Sequence, residues 1–185
     1  MLHRRKSLAR HLRLLAATGA IALLAACSTI DRGQPPQLEA KASWVVLPFA
    51  NNTETPLAGQ RAEAIAQALL SSQGVAASVR RPPVNTQQEA LFNAGDNQRM
   101  QDALAWAREQ KLRYALAGSV EEWRYKVGVD GEPAAGITLH ILDVPSGEIL
   151  WSGSGGQSGW SREALSAVAH KLMRKLLDSG LAASR

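Results

Sequence analysis

The stretch Trp44-Val45-Val46-Leu47-Pro48-Phe49-Ala50-Asn51-Asn52-Thr53 decides the fold. Its first residues are apolar without alternation, the pattern of a strand covered on both faces, and such strands belong to sheets with helices on two sides. Asn51-Asn52-Thr53 then makes a loop. Ala62, Ile65, Ala66, Leu69 and Leu70 follow at helical spacing, and Gly74 is placed to stop that helix. Val75 to Arg80 reads as a short second strand, ended by Pro82-Pro83. Met100, Ala103, Leu104 and Ala107 mark one face of a second helix, with Asp96 as its N-cap. A β-α-β-α order favours parallel pairing.

The pattern then changes. Tyr114 to Val129 is long and rich in strand formers, Asp130-Gly131 turns it, and Gly136 to Val144 returns. Pro145-Ser146-Gly147 turns again, and Glu148 to Gly153 makes a last strand. Leu165, Val168, Ala169, Leu172, Met173 and Leu176 share one face of a final helix, with Gly180 at its C-terminal end. The order β-α-β-α-β-β-β-α predicts an α/β (α+β-like) domain over residues 43–185, a mixed sheet of about five strands with helices packed on it. Trp44 and Trp106 are expected in or beside the core, and Trp123 and Trp151 as cross-strand neighbours.

Upstream of this domain the chain has a different character. Of its 185 residues, 21 are Lys or Arg and 16 are Asp or Glu. Five of the basic ones, Arg4, Arg5, Lys6, Arg10 and Arg13, precede position 27, and no acidic residue does. Without residues 1–26 the chain is formally neutral, which removes the main electrostatic argument for a nucleic-acid partner. The basic segment leads into the apolar run Leu14 to Leu24, too short for a transmembrane helix of ~20 residues, and reads as a secretion signal. It ends at Leu24-Ala25-Ala26-Cys27, where Cys27 is the sole cysteine. One cysteine excludes an internal disulfide framework and a Cys-cluster metal site. Residues 27–42 are polar and carry Pro35-Pro36, the composition of a tether. Its fifteen residues after Cys27 would reach at most ~50 Å when stretched.

Catalytic and metal-binding patterns are absent from the sequence. His140 lies in a strand and His170 on a helix, without metal-ligand spacing. The glycine-rich Gly153-Ser154-Gly155-Gly156-Gln157-Ser158-Gly159 lacks the lysine of a phosphate-binding loop and reads as a flexible strand end. Glu121 and Glu122 are adjacent on a strand, so they are expected to point to opposite faces. No catalytic residue, metal site or cofactor is expected, and the chain is read as non-enzymatic. Trp160 differs from the other tryptophans, because it sits in a loop just before a helix. Its ring either packs as a hydrophobic staple on Leu165 or its neighbours or stands exposed, and an exposed indole suits the membrane–water interface, with an apolar ring and a polar N–H.

Leu24-Ala25-Ala26-Cys27 resembles the lipobox of bacterial lipoproteins, which implies lipidation of Cys27 with acyl chains, palmitate among them, and Ser28 after it implies sorting to the outer membrane. The Trp44-to-Pro56 segment with Ala58-Gly59-Gln60-Arg61-Ala62-Glu63-Ala64-Ile65 is similar to small lipoproteins with a TolB N-terminal-like α/β domain. Among these the chain most resembles the PelC-like lipoproteins of Pel exopolysaccharide export. That resemblance implies a ring-shaped homo-oligomer, a dodecamer, on the periplasmic face of the outer membrane below a PelB-like β-barrel exporter. It implies Trp160 as a contact with outer-membrane lipid, and an acidic inner surface guiding a cationic exopolysaccharide during biofilm matrix formation. Glu121, Glu122, Asp130, Glu132 and Asp143 are the candidates for that surface. The same superfamily includes activators of peptidoglycan synthases (penicillin-binding proteins) and curli-type secretion-channel accessories, the alternative roles. The short tether argues against the first, and the lack of a spare transmembrane hairpin against the second.

Overall fold

Trp44 to Leu47 feed two separate cores in turn. In the computed structural model, which describes residues 28–75, 79–80, 95–128 and 131–182, Trp44 and Val46 enter one hydrophobic cluster and Val45 and Leu47 another. The unbroken apolar run is therefore the signature of a strand with helices on both sides. The first cluster lies under helices α1 (Ala58–Leu70) and α3 (Leu165–Gly180). The second lies under α2 (Asp96–Glu109), through Ala103, Leu104 and Ala107.

The sheet has seven strands rather than the five expected. They are β1 (Ser28–Arg32), β2 (Trp44–Val46), β3 (Ala50–Asn51), β4 (Val79–Arg80), β5 (Tyr114–Tyr125), β6 (Pro133–Asp143) and β7 (Ile149–Ser158). Their order is β1-β7-β6-β5-β2-β4, with β3 also on β5. β2 pairs parallel with β4 and β5, while β5, β6, β7 and β1 pair antiparallel, so the sheet is mixed as expected. β2 and β3 are two pieces of one line along β5. Pro48 cannot donate to the ladder, and the chain steps out there and returns at Ala50 opposite Ser119. Phe49, left between the pieces, drops its ring into the first core. Gly118 makes room for it: a Cβ there would lie 2.7 Å from the Phe49 ring and 2.5 Å from the Thr138 carbonyl oxygen.

The structure corrects the reading of residues 27–42 as a free tether. Ser28–Arg32 is the edge strand of the sheet, Ser28 opposite Gln157 and Arg32 opposite Gly153. Residues beyond it are held too. The Gly33 carbonyl accepts from Trp151 Nε1 at 3.2 Å, and Glu39 N donates to the Tyr114 hydroxyl at 3.1 Å. This added strand also explains why β7 runs on through the glycine-rich segment to Ser158 instead of fraying at Gly153. The small residues there are needed for packing. Cβ atoms at Gly153 and Gly180 would meet the Trp151 ring at 2.5 and 3.0 Å, and one at Gly155 would meet Leu172 at 3.1 Å.

Smaller differences have local causes. Trp123 lies opposite Ala135 and Trp151 opposite Ile141, so β6 separates the two indoles, and Trp44 instead stacks obliquely on Tyr114 at 5.2 Å. Gly95, not Asp96, is the N-cap of α2. α1 gives way to a π-helical turn, Ser71–Val75, that contains Gly74.

Candidate functional site

One end of the sheet gathers several of the residues singled out above. β1 begins there at Ser28, the residue after Cys27, which lies outside the described residues. The β5–β6 hairpin closes there, with Lys126 N donating to Glu132 O at 2.7 Å. The loop between β7 and α3 is tied to that hairpin by Gly159 N donating to Pro133 O at 2.8 Å. Trp160 projects from this loop and is 71% exposed.

The loop holding Trp160 is braced rather than slack. Trp160 N donates to Glu163 Oε2 at 3.1 Å, and Glu163 N donates to Trp160 O at 3.0 Å, a reciprocal pair resembling a capping box. Lys171 Nζ donates to the other carboxylate oxygen of Glu163 at 2.6 Å. The Lys171 ammonium, and after it the Trp160 amide, hold the Glu163 carboxyl below its ordinary value. Ala164, the N-cap of α3, supplies no side-chain cap. The Tyr125 hydroxyl does instead, accepting from Leu165 N at 3.2 Å, and so satisfies one of the helix's free donors. Arg162 sits at φ 67°, a left-handed conformation that a non-glycine residue adopts at a cost. These contacts fix the backbone beneath the indole.

The five acidic candidates do not share one place. Val120 lies opposite Ile137 and Glu122 opposite Gly136, so Glu121 is the extra residue of a β-bulge. The bulge overturns the expected opposition of Glu121 and Glu122. A Cβ placed at Gly136 would meet the Glu122 Cβ at 3.2 Å and the Glu121 Cβ at 3.4 Å, so both side chains leave the same face. Val120 and Trp123 both stay in the first core. Glu121 accepts from Asn52 Nδ2 at 2.9 Å and from Ser119 Oγ at 2.5 Å, and Glu122 accepts from Arg124 Nε at 2.8 Å. Glu132 is exposed at the base of the hairpin, and Asp130 lies outside the described residues. Asp143 is at the far end of the sheet, bound to Arg113 and accepting from the backbone and hydroxyl of Ser146 at 3.0 and 2.7 Å, where it organises the β6–β7 turn.

No family model matches the chain, and no curated protein does. Among solved structures, the PelC dodecamer from Paraburkholderia phytofirmans is 42% identical, covers 82% of this chain and 96% of that chain, and superposes with a TM-score of 0.68. A variant of the same dodecamer in a second crystal form is 41% identical over the same shares, with a TM-score of 0.69. The chain belongs to the PelC family. Lipoprotein GNA1162 from Neisseria meningitidis, 20% identical over 74% of this chain and 96% of its own, shares the fold with a TM-score of 0.51.

In this PelC-family chain no group of His, Cys, Asp and Glu among the described residues is placed to hold a metal. No described helix is long and apolar enough to cross a membrane. The sheet face beyond the reach of α2 is polar, with Ser119, Thr138, His140, Ser152 and Ser154 on neighbouring strands. His140 Nδ1 and Ser152 Oγ are 2.8 Å apart, and burial pushes the imidazole below its ordinary range, favouring its neutral form. Sequence reasoning missed Tyr125 as the brace of the Trp160 loop. Its signal was weak: a tyrosine at a strand end, with nothing in the sequence to place it beside residue 165.

Proposed function

We propose that the chain is a non-enzymatic lipoprotein of the outer membrane, anchored through Cys27 on the periplasmic face, whose copies assemble into a ring that guides an exopolysaccharide to a β-barrel exporter. The observation that carries this reading is the shared end of the sheet: Ser28, directly after the lipobox cysteine, pairs with Gln157, three residues before the exposed Trp160. A lipid on Cys27 and an indole at position 160 would then reach the same bilayer surface, the one by acyl burial and the other by interfacial preference. The family tie supports the ring, since PelC of Paraburkholderia phytofirmans forms a dodecamer.

Within this reading Cys27 is the lipidated position and Trp160 the lipid contact. Glu121 and Glu122 are the paired acids offered to a cationic, Pel-like polymer, with Glu132 and Asp130 near the hairpin, while Asp143 serves its turn. A formally neutral subunit can still line a passage with negative charge, because field depends on where charges sit rather than on their sum. The edge strand β1 counts against the synthase-activator alternative, since the residues needed to span the periplasm are part of the sheet.

The test has two arms. Light scattering of the Cys27→Ser chain in solution is expected to give one large discrete assembly, and a monomer at high concentration overturns the ring. Glu121→Gln/Glu122→Gln in the native host is expected to lower secreted polymer with the assembly intact, and undiminished secretion removes these two acids from the guiding surface.

A further inference from the structure

Five large apolar side chains stand exposed among the described residues: Leu57, Tyr125, Val127, Ile149 and Trp160. Four of them share the end where β1 begins. Tyr125 is the last residue of β5, and Val127 lies two residues beyond it, in the hairpin connection, fully exposed. Leu57 precedes α1, two residues after Thr55, whose hydroxyl donates to the Trp123 carbonyl at 2.5 Å near the same end of β5. Only Ile149, at the start of β7, lies at the other end.

We infer that Val127, in the connection after β5, and the turn at Leu57 are further lipid-contacting positions, which with Trp160 form a rim seated on a phospholipid surface. The inference rests on the anchored reading above, and the geometry extends it. Turn positions ordinarily carry polar residues, and an isopropyl group with no protein around it gains most from an apolar neighbour. The hydrogen bond from Gly159 to Pro133 locks the hairpin to the Trp160 loop, and Tyr125 locks β5 to the start of α3, so the contacts move as one piece. Charges of both signs accompany them, Lys126 and Arg162 with Glu54 and Glu132. Lys126 Nζ donates to Ser158 Oγ at 2.6 Å, and Arg162 is exposed beside Trp160. Lipid contact there is therefore apolar first, and it tolerates salt.

The experiment uses full-length protein purified from the outer membrane and returned to phosphatidylethanolamine–phosphatidylglycerol vesicles. Val127→Cys, Leu57→Cys and, as the far-end control, Ile149→Cys each receive a fluorophore. Acylation leaves no competing thiol, because Cys27 is the sole cysteine. Labels at 127 and 57 are expected to be quenched several-fold more by nitroxide lipids than the label at 149, at low and high salt alike. Trp160 emission, isolated by comparison with Trp160→Phe, is expected to follow them. Lipid quenching of Trp160 with labels at 127 and 57 open to aqueous iodide overturns the rim and leaves the anchored reading standing. If Trp160 also stays unquenched by lipid, both readings fail. Labels shielded from iodide and lipid alike mean that a second copy covers these positions, which overturns the inference as well.

Discussion

Glu163 shows how a single carboxylate can set the posture of an exposed indole. It receives one hydrogen bond from Lys171 and one from the Trp160 amide, and both favour its charged form. Because the folded state holds this group below its ordinary value of 4.5, its contribution is fully present above that pH and is lost as pH falls through the folded value. Trp160 fluorescence anisotropy is therefore expected to fall on acidification from pH 5, before far-UV circular dichroism changes. Glu163→Gln should show the lower anisotropy at pH 7. An unchanged anisotropy in that variant at neutral pH would mean that the loop is held by Tyr125 and the strained Arg162 backbone alone. The odd placing of Trp160 in a loop between Gly159 and Ser161 was legible, but whether its ring packs on Leu165 or stands exposed was not, and the structure leaves it 71% exposed. The bracing was not legible either, since the tyrosine and the lysine that supply it lie 35 positions before and 11 after it in the chain.

At the scale of elements, the β2–β3 line and its glycine partner make the sharpest case. Gly118 faces both a backbone carbonyl and the Phe49 ring at distances no side chain tolerates. Gly118→Ala is expected to destabilise the fold by about 1–3 kcal/mol. For a domain of this size the melting temperature should then drop by roughly 3–10 °C, as calorimetry would record. An unshifted melting temperature would show that Phe49 can leave its slot freely. Phe49 and the strand before it were legible, because Trp44 to Leu47 are apolar on both faces. The Ser28–Arg32 strand was not: its STIDR sequence has only Ile30 to bury, as an edge strand needs no more. β7 was read too short for the opposite reason. Glycine is a poor strand former in isolation, yet Trp151 and α3 require it here. The bulge at Glu121 left no mark at all, since an extra residue is visible only against the partner strand. It decides whether two acids of the candidate surface stand together or apart.

For the whole molecule, the decisive test is attachment. On the proposed reading, Cys27→Ser leaves the two cores untouched and should move the protein from the outer-membrane fraction to the soluble periplasmic fraction, with its melting temperature unchanged. Retention of the variant in the membrane fraction would shift the anchoring to Trp160 and its neighbours. The edge strand gives this attachment an unusual quality. Where a lipoprotein hung from fifteen loose residues could tumble within ~50 Å of the surface, on the proposed reading a single peptide bond would separate the acylated residue from the hydrogen-bonded ladder that begins at Ser28. Each copy would thus be kept within a side chain's length of the bilayer, with the Ser28 end of its sheet turned toward it. Neighbours would then meet as bodies gliding in one plane, so closing a circle becomes a problem of two-dimensional collision.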